Sequence, residues 1–499
     1  MFIETWRAHW GLRHDPFASE DADKDVVLGL TEVRAVHSAF DRLFGDPASP
    51  APGIVFGEKG SGKSCLRLHV RRRLDAYNRA HAGARVLCTD YAEFDGFLER
   101  FKNTIGGRHD SVAGCVLEHW VTADHLDSML SIGVTRLVEE LFDKDAAIDK
   151  KSLTRKQKID LLLLATLTLG SRRETTMASL GRLGSALSLR RPRGVLVLGL
   201  RILLVLLSVL LALVPLLGPR LGFDVQGPAW TWYGAGAVLL GIVGLHAAWS
   251  SVYLSALARR ATRSVRVVHH DPAPLTRLLA SLSANERKEM PIPRSHDEAT
   301  RYELLARFQV ILAASGYRAW YVLLDRVDEP SSLNADPKAA RRFVETLLDH
   351  KLLQVPGMAL KLFLPIEFDE LQRSATPEKL KMMRLDKSNL VPTLEWTGQE
   401  LVEIARARVR ASGETGSTCD LHDFFASDVD PEYLRDTLQT LGTPRYAFGF
   451  LSSAITEHAR NLPDDLPQDA ESWRIARAQL DIVRAAWLER ASLLRRSLN

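Results

Sequence analysis

Eight residues near the N-terminus have the types and spacing to hold a phosphate. The stretch GEKGSGKS, residues 57–64, matches the pattern G-x-x-x-x-G-K-[ST]. Gly57 and Gly62 allow backbone N–H groups to turn toward phosphate oxygens at the start of a helix. We expect Lys63 to reach the β- and γ-phosphates and the Ser64 hydroxyl to ligate Mg²⁺. The predicted nucleotide-binding residues are Gly57, Glu58, Lys59, Gly60, Ser61, Gly62, Lys63, Ser64 and Cys65.

A second set of reactive residues follows an apolar run more than 250 residues downstream. In YVLLDRVDEP, residues 321–330, Asp325 comes at the end of a predicted strand. A carboxylate there binds Mg²⁺ or its water opposite the phosphate loop, so Ser64 and Asp325 are the predicted metal ligands. Asp328 and Glu329 follow, and either could polarise an attacking water as the general base. The sequence does not choose between them, and a solvated turn or helix cap is the alternative interpretation.

These residues need a sheet to bring them together. Apolar runs predict strands at residues 53–56 and 84–91, within RAWYVLLDRVDE (residues 318–329), and at residues 357–365 and 389–396. Helical segments alternate with these runs, which predicts a parallel, three-layer α/β sheet. Glu367 follows the fourth run and could sense a γ-phosphate, but an ordinary surface carboxylate is the favoured interpretation. Beyond residue 412 only helices are predicted.

Composition places few further limits. A net charge of +4 over 499 residues is too small to indicate nucleic acid as a partner. The four cysteines, Cys65, Cys88, Cys115 and Cys419, have neither CxxC nor metal-ligand spacing, which favours reduced thiols in a reducing compartment. The first residues, MFIETWRAHWGLRHDPF, contain no long apolar run, so we expect no secretory signal peptide.

The middle of the chain is strongly apolar. Residues 194–217 carry one charge, Arg201, and residues 229–257 carry none. About 20 apolar residues suffice to cross a bilayer as a helix. The second segment carries aromatic residues that are typical of membrane interfaces: Trp230, Trp232 and Tyr233 at one end, and Trp249 and Tyr253 near the other. We predict a transmembrane hairpin; a helical hairpin buried in a soluble core is the alternative.

The arginines around this hairpin predict its orientation. Six precede it (Arg172, Arg173, Arg182, Arg190, Arg191 and Arg193) and four follow it (Arg259, Arg260, Arg263 and Arg266). The intervening loop, GPRLGFDVQGP, has one Arg and one Asp. The positive-inside rule then places both flanks and both termini in the cytoplasm, in a two-helix protein of the inner (cytoplasmic) membrane. The arginines could also bind nucleic acid, but their position favours the anionic headgroups of a lipid membrane.

Together these features predict four regions. The N-terminal part of the nucleotide-binding domain spans residues 1–110. A helical insertion at residues 111–300 carries the hairpin. The C-terminal part of that domain, with the acidic segment at residues 321–329, spans residues 301–412. A helical lid occupies residues 413–499.

In this order the motifs resemble the KAP family of P-loop NTPases, in the STAND/AAA-like division. The hallmark is a transmembrane hairpin inserted between the Walker A loop and the Walker B strand. Residues 325–329, DRVDE, are closer to the D-G-h-D-E of NACHT members than to the D-D-h-D of KAP members, with Arg326 at the second position. LGTPR is similar to the G-x-P-R start of the division's lid, which implies that Arg445 contacts the nucleotide. GLRHDPF, residues 11–17, resembles the N-terminal box of ExeA-like secretion ATPases.

The resemblance implies a cytoplasm-facing ATPase with ATP and Mg²⁺ as cofactors and slow or triggered turnover. It also implies homo-oligomers, an unidentified protein partner or trigger, and a role in bacterial defence against phages or plasmids. Under this hypothesis nucleotide state acts as a switch on the hairpin. A working ATPase that powers remodelling or secretion is one alternative, and a nucleotide-binding scaffold that does not hydrolyse is another.

Overall fold

The computed structural model divides the chain into two compact units. The first joins Met1–Phe94 to Arg318–Asn499, and the second is Asp95–Tyr317. The structure describes residues 2–18, 21–30, 37–106, 115–143, 152–169, 173–187, 192–217, 228–269, 271–373, 376–382, 389–463, 467 and 471–496.

The elements alternate between strands and helices only in the first unit. The strands are β1 (Gly53–Gly57), β2 (Arg85–Tyr91), β3 (Tyr317–Leu324), β4 (Met358–Pro365) and β5 (Leu390–Val391). The helices up to the end of the second unit are α1 (Phe2–His9), α2 (Val26–Leu30), α3 (Phe40–Phe44), α4 (Lys63–Ala80), α5 (Asp95–Gly106), α6 (Thr122–Phe142), α7 (Arg155–Thr168), α8 (Arg173–Ala186), α9 (Pro192–Leu217), α10 (Ala229–Ser264), α11 (Pro272–Ser281), α12 (Ala284–Lys288) and α13 (Glu298–Ala314). The remaining helices are α14 (Ser331–Asn334), α15 (Pro337–Leu347), α16 (His350–Leu353), α17 (Asp369–Arg373), α18 (Pro377–Met382), α19 (Gly398–Ser412), α20 (Pro431–Leu441), α21 (Pro444–Arg460) and α22 (Arg477–Arg496).

The first unit is built on a five-stranded parallel sheet with the order β2-β3-β4-β1-β5. The central strands β1 and β4 are buried along their whole length, which explains why they are nearly continuous apolar runs. They pair in parallel with Val55 opposite Phe363. The predicted α/β class and parallel sheet are confirmed.

The sheet collects the predicted residues at one edge. Parallel strands point their carboxyl ends the same way, so the segments after β1, β3 and β4 meet there. The phosphate loop follows β1, Asp325 follows β3, and Glu367 follows β4. Because β4 lies between β1 and β3, Glu367 comes between the other two groups along the edge.

The fifth strand is much shorter than predicted. The sequence predicts a strand over residues 389–396, but only Leu390 and Val391 pair with β1. After Val391 the regular ladder breaks, because the position that Thr393 N would take in it is taken by Leu394 N, one residue later. The chain nevertheless stays beside β1, because Leu394 N donates to the Phe56 carbonyl at 2.8 Å.

A second core forms among α19, α20, α21, α22 and the N-terminal helix α1. Trp6 of α1 is fully buried in it and packs edge-on against Phe424, with 4.8 Å between ring centres. Helix α20 ends at Gly442, which has the left-handed φ of 78°, and the Thr443 side chain caps α21. This turn fixes the start of α21, the helix that carries Arg445.

The second unit is helical in its described residues. Helix α7 buries a run of leucines against α6 and α13. Two buried or nearly buried ion pairs tie the unit together: Arg301–Asp127 and Arg266–Asp124.

Helices α9 and α10 are long and apolar enough to cross a membrane. They pack closely where the Ser208 hydroxyl donates to the Gly236 carbonyl at 2.7 Å. Leu203 is 60% exposed and Leu245 73%, so this hairpin is not buried in a core of its own chain. The loop expected outside the membrane (residues 218–227) and the flanking arginines Arg172, Arg190 and Arg191 lie outside the described residues.

Candidate functional site

The phosphate loop runs from the end of β1 to the start of α4. Gly60 and Gly62 have φ values of 88° and 93°, in the left-handed region that favours glycine. Gly62 is also the N-cap of α4, so Lys63 and Ser64 begin the helix. The loop thus leads into a helix N-terminus, whose backbone N–H groups and dipole suit an anion.

Neighbouring residues brace this loop tightly. A Cβ on Gly60 would lie 2.7 Å from the Arg445 Cβ, and a Cβ on Gly57 would overlap the Ser61 hydroxyl. Trp396 Nε1 donates to the Ser61 carbonyl at 2.6 Å. The loop therefore has little room for any residue other than glycine at positions 57 and 60.

Lys63 is the cation at the centre of the site. Its Nζ donates to the Gly57 and Glu58 carbonyls at 2.7 and 3.0 Å. Burial lowers the pKa of Lys63, while the nearby carboxylates of Asp328, Asp325 and Glu367 oppose this shift. Three carboxylates from two distant segments of the sequence therefore lie close enough to act on the charge of Lys63; of these, Glu367 is also exposed, in keeping with the surface carboxylate expected there.

Asp325 and Ser64, the two predicted metal ligands, lie side by side. Asp325 is 2% exposed, and its Oδ1 accepts from the Arg326 backbone N–H at 3.0 Å. Burial raises the pKa of Asp325, and the Arg67 guanidinium and a hydrogen bond with Ser64 act against that rise. One hydroxyl and one carboxylate fit Mg²⁺, which binds through one or two protein ligands, phosphates and water. Among the described residues, no group of three or more His, Cys, Asp or Glu could hold a metal alone.

Arg67 is a site residue that sequence reasoning missed. It lies one turn after Ser64 on α4, is 4% exposed, and places its Nε 3.2 Å from Asp325 Oδ2. The same guanidinium also pairs with Asp90 at 3.1 Å and Asp23 at 2.5 Å. The signal that could have found it is a basic residue three positions after Ser64, on the helix face that turns toward the sheet. Arg67 therefore fixes the position of the Asp325 carboxylate through an ion pair.

Arg326 has an unusual backbone and a clear set of partners. Its φ is 63°, and it is the only non-glycine residue with positive φ in the described part of the chain. Its Nη2 lies 3.1 Å from Asp21 and 2.5 Å from Asp23, and its Nη1 lies 3.4 Å from Glu329. The acidic segment DADKD (residues 21–25), which sequence analysis did not single out, is thereby tied to the end of β3.

The two candidate bases have different surroundings. Asp328 and Glu329 are both exposed and both line the cleft. Glu329 is engaged by Arg326, and burial raises its pKa. Asp328 instead acts on Lys63. Asp328 is thus near enough to Lys63 to act on its charge, whereas Glu329 pairs with Arg326.

The phosphate loop opens into a cleft of about 900 Å³ within the first unit. Its lining includes Phe17 and Phe448, whose rings stack with 5.6 Å between centres. The Arg408 guanidinium lies 4.9 Å from the Phe448 ring centre and pairs with Asp25 at 2.7 Å. The lining of the cleft thus combines the polar phosphate loop with aromatic rings.

The remaining predicted residues border this cleft or the loop itself. Arg445 lines it, and the Arg445 backbone N–H donates to the Gly60 carbonyl at 3.3 Å. Lys59 lines it as an exposed side chain, and Glu58 is exposed on the loop. Burial raises the pKa of the Cys65 thiol to about 11, so Cys65 lines the wall as a protonated thiol.

No family model, curated protein or solved structure matches this chain. What the cleft can bind therefore follows from its own residues. A helix N-terminus, one ammonium and a hydroxyl–carboxylate pair line the cleft together with flat apolar rings. This combination suits a phosphorylated ligand with a planar group, bound together with a divalent cation.

Proposed function

We propose that this chain is a membrane-anchored ATPase that binds Mg-ATP in the cleft and hydrolyses it slowly or on a trigger. One observation carries the proposal: Asp325 lies beside Lys63 and Ser64 at one edge of the sheet, although about 260 residues separate it from them in the sequence. The P-loop NTPase fold, and membership of the KAP family that the sequence resembles, are part of this proposal. ATP rather than GTP rests on that resemblance.

The residues have distinct roles in the proposed reaction. Ser64 and Asp325 would hold Mg²⁺, which supplies charge neutralisation to the phosphates. Lys63 and the loop N–H groups bind the phosphates and orient them for in-line attack. Asp328 takes the proton from the attacking water, because it lies near Lys63 while Glu329 pairs with Arg326. Arg445, at the start of α21, contacts the phosphate side of the cleft.

The ion pairs of the site favour a switch over a continuously working motor. Asp325 is already held by Arg67, so the guanidinium competes with a cation for the same carboxylate. Arg326 ties the segment with Asp21 and Asp23 to the same strand end. When a metal–nucleotide complex binds, these arginines must either release their carboxylates or share them with the cation. The free energy that this rearrangement costs is a physical reason for slow basal turnover.

The test is ATP turnover and equilibrium ATP binding by detergent-purified protein. Lys63→Ala should abolish both, since it removes the central cation. Asp328→Asn should keep binding and lose turnover, and Glu329→Gln is its matched control with turnover largely retained. Full turnover in Lys63→Ala would refute the site, and loss of turnover in Glu329→Gln alone would reverse the assignment of the base.

The second part of the proposal is the anchor. We propose that α9 and α10 cross the inner membrane with both termini in the cytoplasm, since their apolar side chains are exposed and arginines flank them. Wild-type protein should resist extraction from membranes by alkaline carbonate, and deletion of residues 194–257 should release it. A deletion variant that still pellets with membranes would place the anchor elsewhere.

The resemblance extends the proposal to a biological role in defence against phages or plasmids. Homo-oligomers and a protein trigger belong to the same expectation. Cells that express the wild type should resist infection by some phage better than cells that express Lys63→Ala. Equal plaque counts across a broad phage panel would count against this role without affecting the proposed chemistry.

A further inference from the structure

A second cavity, of about 770 Å³, lies at the C-terminal end of α10 within the second unit. We call it the arginine pocket; the residues that define it are Arg259, Arg260, Arg263, Arg266 and Arg294, together with His296. Among the described residues no carboxylate lines it. Its lining therefore concentrates positive charge in one concave space.

Only part of this charge is neutralised within the protein. Arg266 pairs with the buried Asp124 at 2.6 Å and also contacts His296. Arg260 Nε donates to the Arg294 backbone carbonyl at 2.9 Å, which satisfies one N–H but cancels no charge. The exposed guanidinium groups of Arg259, Arg263 and Arg294 form no ion pair in the part of the chain that the structure describes. Their N–H donors are free to bind an oxyanion.

The pocket begins where the apolar surface of α10 ends. Val252, on the rim of the pocket, is 67% exposed, and Trp249 and Tyr253 beside it are also exposed. At 1.5 Å per residue, Arg259 lies about 10 Å further along the helix than Val252. Aromatic residues followed by arginines at this spacing are typical of the level of lipid headgroups. A molecule with its phosphate among the arginines would have Val252 on the side of its acyl chains.

We propose that the arginine pocket binds the phosphate of an anionic phospholipid headgroup. The proposal rests on the membrane insertion of α10 proposed above, but not on nucleotide binding. A soluble phosphate would use the same guanidinium chemistry, yet it would make no use of the exposed apolar rim. A charge cluster that is merely solvated would not need a cavity lined by five arginines.

The experiment measures lipid binding to the full-length protein in a neutral detergent. Phosphatidylglycerol and phosphatidylcholine with identical acyl chains are titrated, and bound lipid is counted by native mass spectrometry. The pocket variant is Arg259→Gln/Arg263→Gln/Arg294→Gln. The control variant, Arg79→Gln/Arg318→Gln/Arg342→Gln, removes the same charge from exposed arginines outside the pocket.

The wild type and the control variant should prefer phosphatidylglycerol. Each arginine near an anionic surface is worth roughly fivefold in affinity. The pocket variant should therefore bind phosphatidylglycerol about 100-fold more weakly than the wild type. Equal affinity in the wild type and the pocket variant, or an equal loss in the control variant, would overturn the proposal.

Two further arms separate the alternatives. Glycerol phosphate, which carries the charged group without acyl chains, should not displace the lipid at equimolar concentration; displacement would assign the pocket to a soluble phosphate. The variant with lysine at all three positions keeps the charge but not the planar fork, and it should bind between the wild type and the glutamine variant. ATP binding and carbonate extraction, measured on the same preparations, report separately on the proposed ATPase and its anchor.

Discussion

Replacing Gly60 by alanine should damage nucleotide binding through two separable effects. The φ of 88° at Gly60 costs an L-residue roughly 1–2 kcal/mol. The stiffer unfolded chain of the alanine variant returns about 0.5–1 kcal/mol of this cost. The new Cβ would also lie 2.7 Å from the Arg445 Cβ, and crowding of this kind costs about 1–3 kcal/mol. The three contributions sum to about 1–4.5 kcal/mol, and about 2 kcal/mol lies in the lower half of that range.

A matched control isolates the second effect. Gly316 has a similar φ of 83°, but a Cβ added there would meet nothing within 4 Å. Gly316→Ala should therefore carry only the backbone cost. Gly83→Ala, with an ordinary φ and open space around it, should raise stability by about 0.5–1 kcal/mol and leave binding unchanged.

The assay is equilibrium titration of a fluorescent ATP analogue with the detergent-purified variants, alongside their melting temperatures. If the alanine destabilises the ATP-binding conformation of the loop by about 2 kcal/mol, ATP binding weakens by roughly 30-fold. We expect this loss in Gly60→Ala and less than a twofold change in Gly316→Ala. If Gly60→Ala bound ATP as tightly as Gly316→Ala, the packing of Arg445 against the loop would not be what shapes the site.

Three further predictions follow from individual contacts. Arg326→Gly relieves the positive φ and removes the ion pair to Glu329. The rate of phosphate release should therefore rise severalfold, while the affinity for ATP should stay within twofold of the wild type. Unchanged or lower turnover would show that Arg326 does not restrain the reaction. Trp396→Phe keeps an aromatic ring but loses the hydrogen bond to the Ser61 carbonyl, which is worth about 1 kcal/mol. The dissociation constant for ATP should therefore rise about fivefold. An unchanged constant would show that this hydrogen bond does not hold the phosphate loop in its binding shape. Burial lowers the pKa of Lys361 to about 7. Between pH 7 and about 10 the unfolded chain therefore binds more protons than the folded protein, and the free energy of unfolding rises with pH. The melting temperature of the wild type should rise from pH 7 to 9 relative to that of Lys361→Met, and parallel curves for the two proteins would contradict this.

The sequence predicted those parts of the fold that are written in short, local patterns. The apolar run before the phosphate loop and the one before Asp325 became β1 and β3, since a strand covered on both faces must be apolar throughout. The glycine and proline of LGTPR marked a helix boundary, and α21 begins there. The fifth strand is shorter than predicted because its hydrogen bonding to β1 slips by one residue after Val391, which an apolar run does not reveal.

The supporting contacts of the site could not be predicted in this way. Arg67 reaches Asp325 across 258 positions, and Trp396 reaches Ser61 across 335. Such partners depend on how distant strands and helices pack, which periodicity and spacing do not report. The tie between Arg326 and the segment with Asp21 and Asp23 is of the same kind.

A double-mutant cycle on Ser64 and Asp325 tests most directly whether the two residues share one metal–nucleotide site. Mg²⁺-dependent ATP affinity would be measured for Ser64→Ala, Asp325→Asn and the double variant. The control pair combines Ser64→Ala with Glu345→Gln, a substitution of an exposed residue that does not line the cleft. If the two residues hold the same cation, the double variant should be little weaker than the weaker single variant, while the control pair should add. Additive losses at Ser64 and Asp325, or ATP affinity that does not depend on Mg²⁺, would contradict the proposed site.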